Sequence, residues 1–403
     1  MSIPERPRLR PHLIAAPDGD DPRSVLVWDR LGLAPRPERV TMLEFACLQL
    51  FDGRRTLRDV QAEAMRQAGG QLLPLERVNA LVRRMEEALF LDGPRFRERL
   101  SAPIREPSCI GCYEADPDAL RRQLHRLFTG PGGPGRPAEP KPDGRLRAAL
   151  VPHIDYHRGG VGFAWGFREV FERTDASLFV IIGTSHYSAH RFTLTRKHFK
   201  TPLGVVETDQ RAIDRLVAHY GDGLFDDEPC HLPEHSIELE VVFLQYLYEG
   251  RRPFRIVPLV VGTFQDAVER SEPPGQRPDI ARMIEALRRM EAETPEPICY
   301  LISGDLAHVG PKFGDPEPVR PPLLQHSREQ DQKILRQAEA ADLLGYFRVI
   351  AEENDRRRIC GLPPTFTALA AARPRRGKLL HYDQYVHPRG HESVSFASVA
   401  FYR

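Results

Sequence analysis

No run in this 403-residue chain approaches the roughly 20 apolar residues that a membrane-spanning helix needs. Its first residues, MSIPERPRLRPHL, lack the apolar core of a secretory signal. The expectation is a cytoplasmic protein with no membrane association. An excess of charge of one sign is also absent: 57 Lys and Arg stand against 56 Asp and Glu, a formal net charge of +1. No global field recruits nucleic acid or an anionic surface, so the expected partner is a small-molecule or peptide substrate. Cysteine is sparse. Six residues (Cys47, Cys109, Cys112, Cys230, Cys299 and Cys360) are no disulfide framework in a chain this long, and in a reducing compartment they are expected as thiols. Any that matter act as ligands or nucleophiles. Proline is not scarce, at 37 residues, but it is spread through apolar-periodic segments and reads as a compositional habit more than as disorder.

The chain length allows two or three domains. Residues 1–98 read as one. An extended stretch, Ser24 to Asp29, precedes Thr41 to Phe51, which is apolar at helical spacing, with Thr41 as N-cap and Glu44 three residues on. Thr56 caps a second helix through about Ala68, Gly69-Gly70 stops it, and Pro74 to Phe90 reads as a third. One extended piece and three helices suggest a small winged-helix-like α+β module. Its arginines are interleaved with acids (RRMEE, RRTLRDV), as on solvated helix faces, which argues against nucleic acid. Residues 99–147 read as a connector with one helix, Asp116 to Phe128, and a Pro/Gly loop.

Residues 148–403 alternate β-rich runs with helical segments. Runs such as LFVIIG and RIVPLVVG are apolar on both faces. The class is therefore α/β, a mostly parallel mixed sheet flanked by helices. Ligands of such sheets gather at the carboxyl ends of strands. Three strands end alike: Ala148 to Val151 runs into His153, Phe179 to Gly183 into His186, and Cys299 to Gly304 into Asp305 and His308. One histidine after a strand is usually a hydrogen-bonded structural residue; three converging on one rim point to a site. Asp305 and His308, three apart, share a side of a turn or first helical turn. Imidazole and carboxylate together suit divalent iron, zinc or manganese. Glu234 and His235 head another apolar helix, in which Ser236 reads as the cap and Glu238 as a first-turn acid. Cys360, before Gly361 and Pro363-Pro364, is a small core residue, a soft ligand or a nucleophile.

At these residues the sequence resembles the Memo family, the B component of the AmmeMemoRadiSam system, which shares its fold with class III extradiol dioxygenases of the LigB type. The matching motifs, in order from Arg105 to about Tyr402, are REPSCIGCYEADPDALRRQL, VPHIDY, GTSHY, TPLGVVETD, EHSIELEVVFLQYL, RIVPLVVG, ISGDLAHVG and RRICGLPP. The resemblance implies that His153, His186 and Cys360 are metal ligands, for iron first, with copper or zinc as alternatives. It also implies that Asp305 and His308 lie beside the metal and that His235 lines the same pocket, these three being the expected catalytic residues. Radical SAM and AMMECR1-like partner proteins are implied in the same way. Within residues 1–98, the pattern LQLFDGRRTLRDVQAEAM…LVRRMEEALFLDG resembles PqqD-like peptide-recognition modules; a packing or dimerisation domain is the alternative.

The family loop usually reads P-H-A-G-Y, where this chain has Pro152-His153-Ile154-Asp155-Tyr156. The acid beside the first expected ligand alters the pocket mouth or adds a hydrogen-bond partner there. His157 reads as peripheral, and Cys109-x-x-Cys112 as structural. Cysteine in place of the dioxygenases' carboxylate argues against ordinary catechol cleavage. Two functions follow: a dioxygenase-like or redox enzyme acting on an unknown small molecule or peptide, and a non-catalytic metal-binding adaptor whose N-terminal module recruits a partner.

Overall fold

The computed structural model describes residues 3–34 and 36–403 and divides into two compact units, residues 1–103 and 104–403. In the first, strands β1 (Leu13–Pro17), β2 (Ser24–Asp29) and β3 (Glu38–Thr41) form an antiparallel sheet. Helices α1 (Met42–Gln49), α2 (Leu57–Gln67), α3 (Leu75–Glu87) and α4 (Pro94–Ser101) follow. Both expected caps form as capping boxes: the Thr41 hydroxyl accepts from Glu44 N while Glu44 accepts from Thr41 N at 2.8 Å, and Thr56 pairs likewise with Asp59. Each satisfies two otherwise orphaned helix donors. Val40, Val60, Val82, Met85 and Phe90 close the core of this unit. Helix α4 was not read from the sequence, because only one of its residues, Phe96, is buried.

The second unit begins with β4 (Ile104–Arg105) and α5 (Pro117–Thr129), then β5 (Leu146–Val151), α6 (Tyr156–Arg173) and β6 (Leu178–Thr184). Short strands β7 (Phe192–Leu194), β8 (His198–Thr201) and β9 (Gly204–Val206) lead to helices α7 (Gln210–Tyr220) and α8 (His235–Tyr248). Next come β10 (Arg255–Val261), α9 (Gln265–Glu269), α10 (Pro278–Glu293), β11 (Ile298–Ser303) and β12 (His308–Val309). The chain closes with α11 (Pro321–Glu339), α12 (Leu343–Glu352), α13 (Leu362–Ala372), β13 (Arg376–Val386) and β14 (Ser393–Tyr402).

The main sheet has the order β12-β14-β5-β11-β6-β10-β7, with β13 also on β14. Strands β5, β11, β6 and β10 are mutually parallel, and the flanking strands are antiparallel. The architecture is thus a mixed α/β sheet flanked by helices. Every residue of β6 and β11 is buried, and the two-residue side-chain period divides them between the faces. Leu178, Val180 and Ile182 meet one core, which includes residues of α7, α10 and α13. Phe179 and Ile181 meet the other, formed with α5, α6 and α8. Full burial of each such side chain contributes about 1.5–3 kcal/mol, which is why these runs carry no polar alternation.

Four local readings are corrected. Arg328 to Glu352, which in sequence reads as one of the helical segments of this unit, is divided between two helices, α11 and α12: Ala341 takes a left-handed φ of 52° and the Asp342 carboxylate caps α12 by accepting from Gly345 N at 2.9 Å. Strand β13 escaped notice because it is half-exposed and rich in charge. Cys109 and Cys112 are bonded to each other, across a turn in which Cys112 N donates to Cys109 O at 2.9 Å. The fourth concerns the start of α8 and is given with the site.

Candidate metal centre

Strand register brings the site together. Val151 of β5 pairs with Ser303 of β11, and Ser303 pairs with Gly183 of β6. The segments that leave these strands, carrying His153, His186 and Asp305, therefore start level at one rim, as the parallel-sheet rule demands. Helix α8 supplies the fourth wall. Its N-cap is Glu234, whose carboxylate accepts from Ser236 N at 3.1 Å. Ser236 is not the cap; its hydroxyl donates to Thr184 O at 2.8 Å and ties α8 to the end of β6. Gly183 permits this approach, since a Cβ there would stand 2.5 Å from Ser236 Oγ.

Cys360 arrives by a second close approach. A Cβ on Gly361 would lie 2.7 Å from Asp305 O, a backbone atom that cannot yield. Gly361→Ala is expected to destabilise the protein by about 1–3 kcal/mol through this overpacking. Urea denaturation reads the effect, and an unchanged midpoint would refute it.

His153, His186 and His235 offer ring nitrogens that all lie within 4.8 Å of one another. Their ring centroids are 5.1 Å (His153 to His186), 5.3 Å (His153 to His235) and 4.6 Å (His186 to His235) apart. Glu234, fully buried, organises two of them: His186 Nδ1 stands 2.9 Å from Oε1, His186 N donates to Oε2 at 2.8 Å, and His235 Nδ1 is 3.5 Å from Oε1. Asp305 Oδ1 accepts from His153 N at 3.0 Å, and its Oδ2 lies 3.8 Å from His153 Nε2. Cys360 Sγ is 3.3 Å from the same Nε2 and accepts from Asp305 N at 3.4 Å.

Burial dominates the electrostatics. It drives the His153 pKa well below the ordinary imidazole value, helped by the neighbouring rings of His186 and His235. Burial also lowers His235 to about 4, against the pull of Glu234. At His186 burial opposes the charged form, but the Glu234 carboxylate outweighs it and leaves the pKa raised. Glu234 itself is held below the usual carboxylate range, because His186 and His235 overcome its own desolvation. Desolvation lifts Asp305 to about 7 against the backbone donors of His153 and Ile154, and it raises the Cys360 thiol well above its ordinary value. Neutral imidazole is the form that binds metal, and burial favours it at His153 and His235, while His186 is backed by the Glu234 carboxylate.

Among the expected residues, His308 is not one of the three rings whose nitrogens approach one another, although its charge is felt at His153. It opens strand β12, not a helical turn, and its Nδ1 faces the carbonyls of Leu306 and Arg358, each at 3.1 Å. Two acceptors on one nitrogen fix the proton there and leave Nε2 as an acceptor. Burial lowers its pKa to about 4. Asp155 turns out to cap α6, accepting from Arg158 N at 3.1 Å and pairing with the Arg158 guanidinium. His157 is exposed.

Sequence reasoning missed the shared role of Glu234, although its place before His235 is the signal for it. It also missed Glu240. This residue is fully buried, its carboxyl oxygens lack a well-formed hydrogen bond, and desolvation raises its pKa well above the ordinary value. Ser303 opposes that shift, and its Oγ is 3.5 Å from His153 Nδ1. Glu240 looks in the sequence like one more polar residue of an apolar helix. Glu238, read as a first-turn acid, is fully buried and accepts from five groups: Arg105 Nη1 at 2.5 Å, Ser108 N and Oγ, Cys109 N, and the Tyr113 hydroxyl.

The family profile described as Memo-like protein matches residues 105–400. A MEMO1 family protein of Aquifex aeolicus (strain VF5) is 26% identical over 390 residues, covering 94% of this chain and 96% of its own length. A MEMO1 family protein of Sulfolobus acidocaldarius is 30% identical over 278 residues, 67% of this chain and 88% of its own. The MEMO1 family protein TK1477 of Thermococcus kodakarensis is 29% identical over 311 residues, 74% of this chain and the whole of its own. The likeness to the Aquifex protein is nearly end to end, whereas the two archaeal proteins match a shorter part of the chain. With a family profile matched across most of its length, and its histidines gathered at the rim of the sheet, the chain belongs to the Memo-like family.

Proposed function

We propose that the protein is a non-haem metal protein of the oxidoreductase type, acting on a small molecule or peptide, with His153, His186 and His235 holding one divalent ion. Iron is the first choice and copper or zinc the alternatives, since imidazole donors suit all three. The observation that carries the reading is the mutual approach of three ring nitrogens beside a buried carboxylate. Iron held by these residues would supply dioxygen-binding and redox chemistry. The chain's own residues do the rest. Glu234 accepts a hydrogen bond from the Nδ1–H of His186 and so keeps Nε2 free to face the ion, as carboxylates behind metal-bound histidines do. His308, neutral at pH 7 with Nε2 accepting, takes a proton from substrate. Asp305 holds the His153 backbone and fixes where that ring starts.

Cys360 competes with His235 for the third ligand place, as the family resemblance implies, and its Sγ lies 3.3 Å from His153 Nε2. Anaerobic purification followed by elemental analysis decides between them. His235→Ala is expected to lose the ion while Cys360→Ala keeps it; the reverse pattern assigns the place to the thiol. Absence of stoichiometric metal in the unaltered protein, before and after reconstitution, sinks the metal reading and leaves the adaptor.

Glu234→Gln keeps the shape but removes the charge behind two rings. It is expected to weaken metal binding by about 10–100-fold, read by competition with a chelator; an unchanged affinity refutes that role. An adaptor reading draws on the first unit, compared above with winged-helix-like and PqqD-like modules. Met42 and Leu72 stand 55% and 80% exposed there, and a leader peptide titrated against the full chain tests whether that surface recruits one.

A further inference from the structure

The opposite end of the main sheet carries a second concentration of charge. Leu146 at the start of β5 pairs with Tyr402 at the end of β14, and Arg376 at the start of β13 pairs with the same Tyr402. Arg145, Arg403 and Arg375 are drawn together by backbone bonds, Arg403 N to Arg145 O and Arg375 N to Tyr402 O, each at 2.8 Å. With Arg147, Arg373 and Arg376 they line a concavity of about 570 Å³, whose one other lining residue is Ala372. The length of β5 separates it from the histidines, about 20 Å at roughly 3.3 Å per residue.

The charge is only partly balanced locally. Arg147 pairs with Glu291, and Arg376 lies over the Tyr402 ring at 5.1 Å. Arg145, Arg373, Arg375 and Arg403 make no ion pair among the described residues. Arg373 is set in place by a left-handed φ of 47° at the end of α13, a conformation that non-glycine residues rarely adopt. The field is felt nearby: burial, and then the charge of Arg373, lower the pKa of Arg288. Ordinary surface arginines of this chain alternate with carboxylates, as Arg191 does with Asp266 and Asp279.

We propose that this concavity binds a small polyanion bearing two or more linked phosphates. Each guanidinium presents a planar fork of donors that matches phosphate oxygens in pairs. The volume lies within the range of about 300–1,000 Å³ typical of small-molecule sites. A concave pocket flanked by Glu291 and Glu285 does not follow an extended nucleic-acid backbone. Its lining holds no aromatic residue on which a base can stack, so recognition is through the phosphates alone. The inference is independent of the metal reading.

Isothermal titration of the full chain at physiological ionic strength with tripolyphosphate, ATP, inorganic phosphate and a single-stranded oligonucleotide tests it. Tripolyphosphate and ATP are expected to bind once per chain with similar affinity, at least about tenfold tighter than inorganic phosphate, because linked phosphates engage several forks at once. Arg373→Glu and Arg375→Glu, both at exposed positions, are expected to weaken tripolyphosphate by a similar factor while melting temperature and metal content stay unchanged. Three results overturn the proposal: no saturable binding up to millimolar tripolyphosphate, equal binding by both charge-reversed variants, or binding of the oligonucleotide in preference to tripolyphosphate.

Discussion

His153→Ala is expected to take the protein from one bound metal ion per chain to background. Of the three rings, His153 is the most enclosed, 3% exposed, and it meets Asp305, Cys360 and both other rings. Its backbone is held by Asp305, its Nε2 meets Cys360, and its ring faces those of His186 and His235. Its removal deletes one of three imidazole donors, and His186 and His235 are held in their present orientation by Glu234. Loss of a ligand exceeds the loss of about 10–100-fold that follows from disturbing a partner behind one. His157→Ala, four residues away and exposed, serves as the control and keeps the ion. Elemental analysis after anaerobic reconstitution gives the answer, and a His153→Ala protein with full metal content would exclude this residue as a ligand.

The second large effect is on stability. Arg105 and Glu238 are both 0% exposed, a charge pair wholly removed from water. Glu238→Gln leaves the Arg105 guanidinium buried without its counter-charge, and breaking such a pair from one side costs about 3–5 kcal/mol. The network reaches the metal centre as well. Arg105 donates through Nε to His231 O and through Nη2 to Glu234 O, both at 2.6 Å, so it steadies the backbone of the carboxylate behind His186. Urea denaturation of Glu238→Gln is expected to show the full loss. In a double variant, Arg105→Met with Glu238→Met, no charge is left buried, and much of the stability returns. If Glu238→Gln unfolds at the same midpoint as the unaltered protein, the pair is not the clasp described here.

Much of the fold is legible from pattern alone. Runs such as LFVIIG and ICYLIS lack polar alternation because both faces are covered. Thr41, Thr56, Asp116 and Asp209 announce their helices because a side-chain oxygen must meet unpaired amide donors. The break between α11 and α12 is marked in the sequence by Asp342 alone, since Ala340 and Ala341 are good helix formers; the left-handed Ala341 lets Asp342 N donate to Gln337 O at 2.9 Å. Strand β13 is silent in the sequence: its pairing with β14 is made by backbone groups, while its side chains are half in water.

The candidate site divides the same way. Three histidines just past three buried strands pointed to one rim, because parallel strands in register must end together. What lay within the sequence was thus the presence of a histidine-rich rim and the kind of chemistry its donors suit. Which side chains meet there was decided by tertiary structure. The approach of α8 over Gly183 made His235, not His308, the third member of the trio. Asp155, adjacent in sequence to the site, was drawn off to cap α6, whereas Glu234, 81 positions from His153, became the carboxylate at its centre. The arginine concavity has the same origin, as its residues come from three separate stretches of chain. Sequence spacing sets what a strand or helix end can offer. Distances between donors on different elements depend on packing, and no spacing along the chain encodes them.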